Sequence, residues 1–187
     1  TTSDDGSRLY INGRRIVDND GRHSAREKSG SVSLSPGYHK IVVDFFESTR
    51  EEVLKVSYRG PGISKRTIPS SVLFRNKPSN DPPQNNPDPD PTPTNAVTGL
   101  NYSYYEGSWT RLPSFSKLKA RKTGTVSSFT LSPRLRSEHF GFQFEGYIRV
   151  TKQGSYTFYT TSDDGSRLYV NGRRIVDNDG RHSAREK

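Results

Sequence analysis

Residues 1–28 read TTSDDGSRLYINGRRIVDNDGRHSAREK, and residues 160–187 read TTSDDGSRLYVNGRRIVDNDGRHSAREK. The copies differ at one position, Ile11 against Val170, and lie 159 residues apart. In each, Asn-Gly separates two runs rich in β-forming residues. Asn-Gly tolerates the positive φ angles of a type I′ turn, so Asn12-Gly13 predicts a tight hairpin, repeated in the copy at Arg167–Asp177.

Outward from this hairpin the chain reads as strand. SVSLSPGYHKIVVDFFE predicts two strands about Ser35-Pro36-Gly37, and EEVLKVSYRGP one more, ending at Gly60-Pro61. LNYSYYEGSW, TVSSFTLS, HFGFQFEGYIRV and GSYTFYTTS follow with turn residues between them. Only a short irregular turn near Phe115–Leu118 departs from this pattern. Many short strands with regular turns imply an all-β, antiparallel β-sandwich or barrel. Phe140, Phe142 and Phe144 alternate strictly and read as core.

One stretch cannot join that core. Residues 77–97, KPSNDPPQNNPDPDPTPTNAV, carry more than half of the twelve prolines and almost no apolar side chains besides them. This is a polyproline-like linker of about 3 Å per residue. The chain has no cysteine, which removes disulfides and thiolate metal sites, and no methionine. Both absences suit an oxidising, extracellular setting. No apolar run approaches the roughly 18 residues of a membrane span.

The net charge of +9 is placed unevenly. Arg111, Lys117, Lys119, Arg121, Lys122, Arg134 and Arg136 fall in one stretch without an acid. Such a stripe is either a solvated face or a track for an anionic polysaccharide; with no nucleic-acid motif beside it, nucleic acid is not an expected partner.

GSYTFYTTSDDGSRLYVNGRRIVDNDG (154–180) resembles the PA-fourteen domain family, named for a fragment of protective antigen: a strand ending in Ser-Asp-Asp-Gly, then a strand–turn–strand with a small Asn/Asp-Gly hairpin. GLNYSYYEGSW and FGFQFEGYI resemble that family's opening strands, GSVSLSPGYHKIVVDFFES and LKVSYRGPG its closing ones. The resemblance implies a jelly-roll-like β-sandwich of secreted adhesins, toxins and glycosidase accessory modules, several of which bind glycans through calcium.

The family order would be 98–159, the repeated segment, then 29–76. Here 1–76 reads as the C-terminal part of one repeat, 77–97 as the linker and 98–187 as the N-terminal part of the next. The chain holds one opening third, one closing third and two middle thirds, so it can complete one sandwich, with one hairpin left over. The expectation is a window on a tandem array with a period of 159 residues, its partners being neighbouring copies of the same repeat. Strand exchange between chains and an engineered permutant are the alternatives.

Asp163-Asp164 and their equivalents Asp4-Asp5 are the sharpest chemical candidates. Adjacent carboxylates at a strand end suit Ca²⁺, a hard ion that takes oxygen ligands; equally, Asp before Gly closes a turn. In flocculin-type relatives the resemblance implies that such a pair holds calcium and the ion holds sugar hydroxyls. The loop that supplies an Asn there corresponds here to FFESTREE, which offers Glu47 as ligand, or Arg50 as a counter-charge needing no metal. For carbohydrate contact the candidates are Asp163, Asp164, Asn178, Asp179 and Trp109. Asn178 and Asp179 also suit a turn, and the aromatics of NYSYYEGSW also suit a core that has few aliphatic residues to draw on. The four histidines show neither zinc spacing nor a serine nucleophile elbow, so no enzyme is expected. The expected role is a non-catalytic repeat of a bacterial cell-surface filament or stalk with adhesive function, or a calcium-dependent lectin-like module.

Overall fold

The computed structural model describes residues 6–48, 53–76, 96–163, 166–170 and 173–178, with side chains placed up to residue 160 apart from 23–26. The first copy of the duplicated segment forms β1 (Ser7–Ile11) and β2 (Arg14–Asn19). Asn12 and Gly13 between them have φ angles of 49° and 72°, the type I′ geometry expected of Asn-Gly. Next come β3 (His23–Leu34), β4 (Gly37–Glu47), β5 (Val56–Gly60), β6 (Ile63–Thr67), β7 (Leu73–Asn76) and β8 (Ala96–Thr98). β9 (Leu100–Glu106), β10 (Lys122–Val126), β11 (Phe140–Val150) and β12 (Gly154–Asp163) build the rest. The second copy forms β13 (Ser166–Val170) and β14 (Arg173–Asn178).

β1 to β12 make two antiparallel sheets. The larger runs β10-β9-β11-β4-β1-β2, with β7 on the far half of β11 and β8 on β7; the smaller runs β3-β12-β5-β6. Their inner faces meet in one core that takes Leu34, Val56, Tyr58, Tyr156 and Phe158 from the smaller sheet. The larger sheet answers with Leu9, Ile11, Val17, Ile41, Val43, Phe45, Tyr102, Tyr104 and the three alternating phenylalanines. The fold is the antiparallel β-sandwich that the alternation implies.

Aromatic rings carry much of that core, as a chain poor in aliphatic residues requires. Phe142 and Phe144 stack at 5.2 Å, and Tyr104 lies 5.1 Å from Phe142. Each such ring buries on the order of 150–250 Å². Gly146 lets the larger sheet close around them. A Cβ there would stand 2.6 Å from both Leu100 Cδ2 and the Phe74 carbonyl oxygen.

Several elements differ from the sequence reading. TVSSFTLS is strand only to Val126; its apolar Phe129 and Leu131 reach the core from a bend, Phe129 packing edge-on to Phe144 at 5.7 Å. Burial alone accounts for their alternation, without a partner strand. β6, β7 and β8 are short pieces, and β8 begins at Ala96, inside the Pro-rich stretch as read from sequence.

The position of the hairpin decides how the sandwich closes. β4 is paired on one side with β11, from Phe140↔Glu47 to Val150↔Gly37, and on the other with β1, from Ser7↔Phe45 to Ile11↔Ile41. The first copy thus completes a sheet whose other half comes from beyond the linker. β13 and β14 reproduce its register, including the shift between Leu168 and Tyr169 that matches the one between Leu9 and Tyr10. Among the described residues they pair only with each other.

Candidate functional site

The end of the sandwich where β4 finishes and β11 begins is where the sequence places its aspartate pair. Asp4, Asp5, Asp164, Asp179 and Arg50 lie outside the described residues, and Asp163 and Asn178 are described in backbone only. What is described is the frame around them. The Gly6 carbonyl, one residue past Asp5, accepts a hydrogen bond from the Phe46 N–H at 2.9 Å. Glu47, next along β4, is fully buried. The fold therefore sets Glu47 beside the chain that follows Asp4-Asp5. Gly6 is required by this approach, since a Cβ would stand 2.5 Å from the Phe46 ring and 2.9 Å from the Gly21 nitrogen. Among the described residues no three His, Cys, Asp or Glu side chains converge. One carboxylate falls short of the about six to eight oxygens that calcium takes.

A second constellation lies on the outer face of the larger sheet, and the sequence reading missed it. The registers align Ser103, Gln143, Asp44, Arg8 and Asp18 in one row across β9, β11, β4, β1 and β2. Gln143 Nε2 donates to Asp44 Oδ1 at 2.9 Å. Arg8 reaches Asp18 at 3.4 Å and Asp20 at 2.5 Å, and Arg15 reaches Asp18 at 2.9 Å. Asp44 is only 8% exposed, and burial pushes its carboxyl up to about 6; the Gln143 hydrogen bond and Arg8 pull against that shift. Burial also raises Asp20, with Arg8 and the Leu112 N–H opposing. The available signal was Asp44 itself, a lone charge inside the apolar run IVVDFF at outward-facing parity. Its partners come from two other strands, β11 and β1.

Asp20 does a second task. Its Oδ1 accepts from the Gly21 N–H at 2.9 Å and from the Leu112 N–H at 2.5 Å, latching the 107–121 segment over the outer face. Under that strap Phe46, Tyr105, Leu112 and Phe115 form a small second core, with Tyr105 and Phe115 stacked at 4.6 Å. Trp109, a sugar-contact candidate from the sequence, is half-buried against it, edge-on to Phe115 at 6.1 Å and lying over Gly107. Asn178 and Asp179 correspond by the repeat to Asn19 and Asp20. In the copy whose side chains are placed, Asn19 is fully buried and Asp20 is the latch.

A cavity of about 300 Å³ opens on the flank between the sheets, with Leu54, Ile68 and Phe129 at its floor and Ser70, Ser127 and Ser128 at its rim. It has the apolar floor and hydroxyl rim of a small-ligand cleft but no titratable group beyond Lys55. None of these places assembles a nucleophile, base and acid.

The comparisons with known proteins agree with this frame. A family profile described as PA14 domain matches residues 1–71 and 96–187, so the Pro-rich stretch falls between the matched parts. The anti-sigma-I factor RsgI3 of Acetivibrio thermocellus is 27% identical over 180 residues, covering 95% of this chain and 26% of that relative. The chain thus spans about a quarter of the curated relative it matches. No solved structure matches. Among the described residues no helix is long and apolar enough to cross a membrane.

Proposed function

We propose, from the premise that this chain belongs to the PA14 domain family, that it is a non-catalytic module of a tandem-repeat protein displayed at the bacterial cell surface, with an adhesive role. One observation carries the repeat reading. A single sandwich takes up a single hairpin in its sheets, while a second hairpin of the same register forms a two-stranded sheet of its own. The row Gln143–Asp44–Arg8–Asp18 and the Asp20 latch are what the sandwich uses to hold the hairpin. The second copy carries the same set as Arg167, Arg174, Asp177 and Asp179. It is equipped for the same seat in another repeat. The family match supports an extracellular place, where glycans are the contact chemistry.

The test is to spoil each hairpin in turn. Leu9 is fully buried, so Leu9→Asp puts an unpaired charge in the core, a cost of about 5 kcal/mol or more that rivals the whole stability of a domain. If the copies are equivalent repeat elements, Leu9→Asp folds with the second hairpin in the seat, Leu168→Asp folds with the first, and the double variant unfolds. A Leu9→Asp chain as unfolded as the double variant overturns the reading.

A calcium-dependent carbohydrate-binding role is the second reading, favoured by the buried Glu47 carboxylate beside the chain that follows Asp4-Asp5. Asp4 and Asp5, with Glu47, would then supply the ion with oxygen ligands and the ion would hold sugar hydroxyls, as Asp163 and Asp164 would where the second hairpin is seated.

A further inference from the structure

Among the described residues two large apolar side chains stand well out of the surface, Leu118 at 39% and Leu135 at 58% exposed. Each is held between two exposed cations, Lys117-Leu118-Lys119 and Arg134-Leu135-Arg136. The two stretches belong to different loops, and both loops reach the start of β10. Lys122, at the start of β10, donates from Nζ to the Pro133 carbonyl at 3.2 Å. The Leu135 backbone is hydrogen-bonded to the Tyr104 hydroxyl, and Tyr104 is the register partner of Lys122 in β9. Arg121 joins the same edge, partly answered by Glu106 at 3.7 Å; Glu138 is the other acid nearby.

We propose that this edge of the sandwich, at β10 and its two flanking loops, is a contact for the surface of an anionic lipid bilayer. Leu118 and Leu135 enter the headgroup boundary, and Lys117, Lys119, Arg134 and Arg136 lie against lipid phosphates. The inference stands apart from the repeat and adhesion readings and needs neither. The pairing of apolar tip with cations singles out lipid. A soluble polyanion rewards the charges but offers no apolar phase for the leucines, whereas an anionic leaflet rewards both. The contact is peripheral and requires no spanning segment.

The test uses the full chain and vesicles of phosphatidylcholine with or without about 30% phosphatidylglycerol, sedimented at about 0.1 M salt. The chain should sediment with the anionic vesicles and not with phosphatidylcholine alone. Neutralising one flanking cation, as in Arg136→Gln, should weaken binding about fivefold. Leu118→Ser with Leu135→Ser should weaken vesicle binding by about tenfold or more while leaving retention on heparin unchanged. All these side chains are exposed, so the variants should keep the parent's far-ultraviolet circular dichroism. Absence of sedimentation at low salt overturns the proposal. So does a leucine variant that binds vesicles as the parent does, which would make the edge a site for soluble polyanions.

Discussion

Replacing Asp44 by asparagine should stabilise the folded chain at neutral and alkaline pH, by an amount set by the surroundings of this carboxyl. Val43 and Phe45 on either side point into the core, so Asp44 faces the outer row, where it is nonetheless 8% exposed. Burial is the largest influence on it, lifting the carboxyl from 3.8 to about 6, with Glu145 and Asp20 adding to the rise. The folded state thus holds this proton more tightly than the unfolded chain. Stability from it is fully present below about pH 4 and is lost as pH rises through about 6. Fully ionised, the group costs the fold about 3 kcal/mol. Asparagine keeps an oxygen for the Gln143 Nε2 donor, and Arg8 retains Asp18 and Asp20 as counter-charges. Asp44→Asn should therefore gain about 2–3 kcal/mol near pH 8 and nothing near pH 4. Urea unfolding of both chains across that range measures it, and the difference should itself titrate near 6. A difference that does not change with pH, or a destabilised asparagine variant at pH about 8, would show that the pull of Arg8 outweighs burial.

Three further outcomes follow from the same geometry. Asp20→Ala removes the acceptor for Gly21 and Leu112 and the partner of Arg8, and should cost about 3 kcal/mol; Trp109 on the loosened strap should shift its emission to the red, and an unchanged spectrum would mean the strap holds without its latch. Gly146→Ala should cost about 2–3 kcal/mol, read as a lower urea midpoint, because its Cβ meets the fixed Phe74 carbonyl as well as the movable Leu100 side chain. If Asp4, Asp5 and Glu47 hold calcium, a hundredfold excess over the dissociation constant should add about 2.7 kcal/mol and raise the thermal midpoint, chelation should reverse the gain, and Asp4→Asn should abolish it; a midpoint indifferent to millimolar calcium would count against the ion.

Burial of the outer row has a consequence for adhesion. Asp18 and Asp44 are nearly inaccessible, and Asn19 is fully so, which assigns this face to holding the hairpin. A glycan would meet instead the loop end near Glu47, or the flank cavity with its serine rim. The Pro-rich stretch leaves from Asn76 and returns at Ala96, and those residues are register partners in the β7–β8 ribbon. In a tandem array, entry and exit of each module would therefore lie side by side, and the modules would hang from their linkers like pendants.

What the sequence determined by itself was whatever depends on neighbours along the chain. Asn12-Gly13 specifies its turn because only certain residues tolerate two positive φ angles, and Phe140, Phe142 and Phe144 share a face because a strand has period two. The duplicated segment and the Pro-rich stretch were equally plain, being patterns of composition. Tertiary structure decided the rest. The alternation in TVSSFTLS promised a strand, but Phe129 and Leu131 only needed a route to the core, and a bend supplied it. Which strand lies beside β4, and hence that Asp44 meets Gln143 and shares its row with Arg8, depends on residues about a hundred positions apart in one case and 36 in the other. Two nearly identical hairpins carry the same local instructions, and only the arrangement of strands around the one available edge settles which of them is seated.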